Sequence, residues 1–213
     1  MMSTCLSEAV PPEYAPMMRE QMGFTPEATD SVEVTSGHEK QTRPVVIVGA
    51  GASGLALGYR LQKMGINYIT VERNTEVGGT WFENTYPGCA VDTPNHAYSY
   101  SFGNRYSWSR NFSPRSEIQD YLECISEELD LRQAIRFETR VTAAFWDQEK
   151  SCWQVTLSTN DGEERLEAMA VVSAIGQLSQ VSMPSLKGAD DFQGTSFHTA
   201  RWPSGTDLKG KHV

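Results

Sequence analysis

The chain has 213 residues, 39% of them hydrophobic and 21% charged, a globular composition with apolar material for one large core or two small ones. Its net charge of −9 opposes nonspecific attraction to nucleic acid or to an anionic membrane surface, and no Lys/Arg run overrides that average. Cys5, Cys89, Cys124 and Cys152 are scattered without a CxxC pair, and the histidines show no ligand spacing to them. That pattern points to free thiols in a reducing compartment and offers no metal site.

The N-terminus lacks the basic patch and apolar core of a secretory signal, and no stretch approaches the roughly 18 apolar residues of a membrane span. The expectation is a soluble, cytoplasmic protein with neither nucleic acid nor membrane as partner. Residues 1–43 carry early prolines followed by a polar run and read as an extension that partly drapes on a domain. At Pro44 the composition changes. PVVIV is a short β-branched run, the pattern of a strand buried on both faces of a parallel sheet.

A helix is predicted after the turn GAGASG, with Leu57, Leu61 and Met64 on one side and Gly65 as its stop. The strand NYITVER follows. Further on, Ser116 and Gln119 suggest a capping box for a helix whose Ile118, Tyr121, Leu122, Ile125 and Leu129 recur at helical spacing. Segments near Ile135 to Phe145, Trp153 to Ser158 and Glu164 to Ala170 alternate and predict a small antiparallel meander, after which AVVSAIG returns as a buried strand.

Gly49, Gly51 and Gly54 fit GxGxxG. The hexapeptide alone is weak evidence, but here it follows a buried strand, opens a helix, and is followed 23 residues after Gly49 by the acid Glu72 at the end of the second strand. In such a loop the first glycine allows the tight turn, the second lets backbone approach a pyrophosphate, and the third lets helix and strand pack closely. The helix N-terminus, with Ser53 in its first turn, would present free N–H groups to phosphates. Glu72 would accept the ribose hydroxyls, which favours FAD or NAD over a 2′-phosphorylated dinucleotide at this site.

After Glu72 come Val77-Gly78-Gly79-Thr80-Trp81, Asn84-Thr85-Tyr86-Pro87-Gly88 and Val91-Asp92, and near the end Phe192, Gly194, His198, Trp202 and Pro203 complete FxGxxxHxxxWP. The constellation resembles the Baeyer–Villiger monooxygenases, class B flavoproteins that use FAD and NADPH, from Pro44 to Val213; Ser204 stands where the family often has Asp. The resemblance implies an α/β, Rossmann-like FAD-binding fold, a parallel sheet with a small antiparallel meander, present incompletely. Residues 44–178 would be the N-terminal part of the FAD domain and 179–213 a linker towards an NADPH domain absent from this chain.

It implies further that Gly79, Thr80, Trp81, Tyr98 and the backbone of Val141 line FAD. Asp92 would hold an arginine beside the flavin, and His198 would couple cofactor binding to domain motion, these two being the candidate catalytic residues. In the family NADPH reduces FAD, the reduced flavin takes up O2, and the peroxide attacks a small-molecule ketone to give an ester or lactone. Without the later segments the chain is expected to be inactive alone, with uncovered apolar surface and unpaired sheet edges that call for another chain. The alternatives are a noncatalytic FAD-binding module completed by a second chain, and a flavoenzyme that oxygenates nitrogen or sulfur.

Overall fold

The computed structural model describes residues 11–16, 19, 43–103 and 106–212; most of the N-terminal extension, Cys5 and Val213 lie outside them. The strands are β1 (Val45–Val48), β2 (Tyr68–Val71), β3 (Ile135–Arg136), β4 (Arg140–Asp147), β5 (Cys152–Thr159), β6 (Gly162–Ala168) and β7 (Ala170–Ser173). The helices that bear on the site are α1 (Ala52–Lys63), α2 (Thr80–Glu83) and α3 (Arg115–Glu128). A parallel sheet has the order β3-β2-β1-β7, and β4-β5-β6 form a separate antiparallel sheet.

The apolar run of β1 sits in the middle of the parallel sheet because both of its faces are covered. Val45 and Ile47 pack with Leu61 of α1. Val46 points the other way, into a cluster with Val71, Val155, Leu157 and Ala168 that joins the two sheets. The strand's period of two divides its side chains between these layers, and each fully buried Val, Ile or Leu contributes roughly 1.5–3 kcal/mol. A third cluster fastens Leu55 and Tyr59 of α1 to Ile118, Tyr121, Leu122 and Ile125 of α3, the apolar face expected of that helix.

Helix α1 stops as its sequence predicts. Gly65 adopts φ +66°, its N–H donates to the Gln62 carbonyl and that of Ile66 to the Leu61 carbonyl, which satisfies the last turn. The start of α3 differs from expectation. Its N-cap is Pro114, not Ser116, and no side chain caps it directly. Glu117, three residues on, instead receives the hydroxyl of Ser113 and both the N–H and the hydroxyl of Ser109, while the Gln119 amide turns away to the Val77 carbonyl. Proline presets the entry to the helix and leaves the capping to the residues before it.

The predicted meander also divides differently. Ile135 and Arg136 pair in parallel with Thr70 and Val71, so the antiparallel sheet begins only at Arg140, and Glu164 to Ala170 is split between β6 and β7. Arg43, at the end of the extension, is tied to Glu167 of β6 at 3.0 Å. Beyond β7 the chain forms two three-residue 3-10 turns, Ala189–Asp191 and Thr199–Arg201, and exposes Leu178 (85%) and Phe192 (63%). Among the described residues no helix is long and apolar enough to cross a membrane.

Candidate cofactor site

A cavity of about 640 Å³ opens where β1, β2 and β7 end. This is the carboxyl edge of a parallel sheet, where open α/β folds bind ligands, and the volume is in the range of small-molecule and cofactor sites. One wall is the glycine turn. Gly49 takes φ +106°, and a Cβ on Gly54 would lie 1.9 Å from the Gly49 carbonyl oxygen, so only glycine lets α1 begin this close to β1. No side chain caps α1, leaving first-turn N–H groups free to meet phosphate oxygens.

The second wall is the turn before α2. The ideal Cβ of Gly51 would sit 3.6 Å from the Cα of Gly79, so two bare backbones face each other across the cavity mouth. Behind them Trp81 is buried and donates from its indole N–H to the Tyr98 hydroxyl at 3.0 Å, with the rings edge to face at 5.7 Å. Arg115 donates to the Trp81 carbonyl and, at 2.8 Å, to that of Phe82; a cation at the end of this short helix is electrostatically favourable.

Glu72 is buried at the floor. One carboxylate oxygen accepts the Ala50 N–H at 2.7 Å and the other the Asn74 N–H at 2.9 Å. The residue therefore pins the glycine turn to the end of β2, and the remaining lone pairs of a carboxylate, which has about four acceptor sites, are what a ribose would meet. Aromatic packing supports the loop from beneath. The Tyr100 hydroxyl donates to the Ala52 carbonyl at 2.6 Å and its N–H to the Tyr121 oxygen at 2.8 Å. Burial raises both phenols, Tyr121 to about 12, so both stay neutral donors and acceptors near neutral pH.

The structure brings most of the sequence-predicted residues together. Gly49, Gly51, Ser53, Glu72, Gly79, Thr80, Trp81, Tyr98 and Val141 all line the cavity, while Gly54 is buried behind it. Asp92 and His198 are not among the lining residues. Asp92 is exposed and accepts the Thr93 hydroxyl at 3.4 Å. His198 is half-buried and caps the turn Thr199–Arg201, its Nδ1 accepting the Ala200 N–H at 3.1 Å. Trp202 packs edge to face on Phe197 at 4.9 Å, not on Phe192.

Two features of the site were not read from the sequence. Asn95 is buried and bonds through its side chain to the Arg110 carbonyl (2.7 Å), the Ser113 hydroxyl (2.6 Å) and the Ser113 N–H (3.2 Å), closing the loop that carries Tyr98 and Tyr100. Glu83 accepts from Arg73 and Asn74. Burial opposes its ionisation, but Arg73, Asn74 and Arg201 outweigh that and hold its carboxyl below the usual range. An Asn between loop residues and a Glu in a short helix carry no distinctive spacing by which to find them.

Comparison with known proteins agrees with this geometry. A family model described as an NAD(P)-binding Rossmann-like domain matches residues 47–112. A Baeyer–Villiger monooxygenase of Streptomyces coelicolor is 42% identical over 79% of this chain and 32% of its own length. An uncharacterized monooxygenase, y4iD, of Sinorhizobium fredii is 37% identical over 100% of this chain and 32% of its own length. Over the third of their length that it matches, the chain is homologous to the Baeyer–Villiger and FAD-binding monooxygenases. The crystal structure of OTEMO in complex with FAD and NADP superimposes on the chain with a TM-score of 0.70 at 36% identity, over 79% of this chain and 32% of that one. The chain thus spans about a third of the length of the relatives it matches, and the elements it contains are the Rossmann-like sheet, its antiparallel companion and the fingerprint segment.

Proposed function

We propose that this chain is the FAD-binding portion of a Baeyer–Villiger monooxygenase, an enzyme that takes electrons from NADPH and an oxygen atom from O2 to convert a small-molecule ketone to an ester or lactone. The observation that carries the reading is one cavity walled by two bare glycine backbones and floored by Glu72, in a chain that also contains the complete FxGxxxHxxxWP segment. The complex of a structural relative with FAD and NADP supports the choice of cofactors.

Gly49, Gly51 and Ser53 would hold a pyrophosphate, Glu72 a ribose, and Gly79, Thr80, Trp81, Tyr98 and Val141 the remaining length of FAD. FAD, when bound, supplies electron storage and oxygen activation. The chain's own part is to bind and orient: backbone N–H groups face the anionic centre, while buried Trp81 and half-buried Tyr98 wall the cavity against water. Asp92, exposed here, is free to pair with an arginine from elsewhere in the protein, and His198 holds the turn that joins the linker to the cofactor half.

The test is the visible spectrum of the purified, FAD-incubated and desalted chain beside Glu72→Arg. Flavin near equal stoichiometry in the wild type and its loss in the variant support the assignment; a wild type that is folded and colourless refutes it. Incubating the flavin-loaded chain with NADPH and a cyclic ketone then separates function from binding. Ester formation supports the oxygenase reading, whereas flavin retention without NADPH oxidation makes the chain a binding module that needs a second chain.

A further inference from the structure

The fingerprint segment reaches the cofactor half through few contacts. A second cavity, of about 520 Å³, lies between the end of β2 and the turn Thr199–Arg201, with Arg73, Glu83, Arg201 and Trp202 in its walls. The ion pair that crosses it runs from Arg201 Nη1 to Glu83 Oε2 at 3.6 Å. Glu83 is well placed to transmit this contact. Its other carboxylate oxygen receives Arg73 Nη2 at 2.5 Å and Asn74 Nδ2 at 3.0 Å, and these residues directly follow the ribose acid Glu72. Its backbone N–H donates to the Gly79 carbonyl at 2.9 Å, within the turn that walls the cofactor cavity. Arg73 also donates to the Ser179 carbonyl at 3.2 Å, so the same group of charges holds the start of the linker.

At the other end, the half-exposed Arg201 side chain is carried by an ordered turn, and its Nη1 also donates to the Ala200 carbonyl at 2.7 Å. It closes a 3-10 turn whose first N–H groups are satisfied by His198, through Nδ1 to Ala200 and through the carbonyl to Arg201 at 2.8 Å. Trp202 is braced on Phe197.

We propose that Glu83 is a positioning residue that docks the fingerprint turn onto the cofactor cavity through Arg201, so that filling the cavity tightens the turn Thr199–Trp202. The proposal rests on the reading of the cavity as an FAD site. The geometry gives it direction: a ligand that packs on Gly79, Thr80 and Glu72 restrains both elements that hold Glu83, and Glu83 passes that restraint to Arg201. Arg73 keeps the Glu83 carboxylate oriented when Arg201 lets go, so the dock can open and close without disturbing α2.

The experiment is amide hydrogen exchange of the chain, with and without FAD, in the wild type, Glu83→Gln, Arg201→Met, Arg201→Lys and the Glu83→Gln/Arg201→Met double variant. Without FAD, each of the first two substitutions is expected to speed exchange at Ala200–Trp202 about two- to fivefold, the scale of a partly exposed ion pair, and the double variant no more than either alone. Arg201→Lys is expected to retain part of the protection. With FAD, the wild-type turn gains protection that Glu83→Gln and Arg201→Met do not, while the glycine loop 49–54 is protected in all of them. Unchanged exchange at 200–202 in both single variants, or effects that simply add in the double, overturns the dock. A gain with FAD that survives Glu83→Gln overturns the coupling. If FAD leaves residues 49–54 of the wild type unprotected, the cofactor reading fails and the coupling with it, while the FAD-free cycle still decides the dock. Arg201→Met leaves the Arg73–Glu83 pair in place, so its outcome does not depend on how α2 tolerates substitution.

Discussion

The sheet half and the linker half of this chain are stabilised by different means. From Val45 to Ser173 the backbone is held by strand ladders and long-range bonds, such as those from Gly49 to Val71 and from Ala174 to Val48, over cores with side chains that are fully buried. From residue 181 onward the described backbone bonds outside regular elements are all local, as from Phe192 to Ala189 and from Thr206 to Pro203, and an ion pair from Arg201 to Glu83 ties the segment to the sheet half. Burial and ladders are cooperative, whereas a segment with few buried contacts opens at low cost. The candidate cofactor cavity is thus built on the half with buried cores, and the fingerprint lies on the half held by local contacts.

The sharpest way to break that contrast is Gly54→Val. Its Cβ would lie 1.9 Å from the Gly49 carbonyl oxygen, far inside van der Waals contact, and neither β1 nor α1 can move without losing its core. The expected cost is about 3 kcal/mol or more, seen as a large fall in the urea midpoint or as insoluble protein. Asn95→Leu comes next. It leaves the buried Ser113 N–H without the partner it now has, at about 1–3 kcal/mol for a buried group left unsatisfied, and removes the part-buried bond to the Arg110 carbonyl; urea unfolding measures the loss, and near-UV circular dichroism should report looser packing of the tyrosines carried by that loop.

A smaller effect is expected from Glu167. Hydrogen bonds from Gln154, then Lys150, then Arg43 depress its carboxyl to about 2, below an unfolded value of about 4.3. Its contribution to stability is therefore complete above roughly pH 4.5 and is lost as pH falls through 2. Acid titration of the wild type beside Glu167→Gln should show curves that are separate at pH 6, converge towards pH 2, and lie closer together in high salt. Smallest of all is Phe192→Ser in the linker. The side chain is 63% exposed, so thermal stability should shift by no more than about 0.5 kcal/mol, although the residue belongs to the fingerprint; a larger loss would mean that the linker is more firmly docked than its contacts suggest.

The glycine turn, Glu72 and α1 were legible because backbone geometry admits few solutions there. A strand that must turn into a helix within a few residues and face an anion needs glycine at fixed offsets, and Gly65 ends the helix for the same kind of reason. The start of α3 was misread because Ser116 and Gln119 have the spacing of a cap, but Pro114 precedes them and Ser113 serves Glu117 instead. The parallel β3 was missed because two residues, Ile135 and Arg136, carry no period, and their pairing is decided by the edge of β2 that they meet. Asn95 and Glu83 were invisible for a related reason: each acts on partners that only the folded chain brings near.

The placement of the tryptophans gives the molecule an optical consequence. Trp81 is buried in the wall of the candidate cofactor cavity, Trp146 and Trp153 meet edge to face at 5.9 Å on the outer meander, Trp108 lies among tyrosines, and Trp202 rides on the fingerprint turn. A chain that keeps Trp81 as its sole indole would emit from the cavity wall and dim when a flavin quenches it. A chain that keeps Trp202 would shift its emission to the red when the turn swings into water. Two such chains would time the filling of the cavity and the movement of the linker separately, by fluorescence alone.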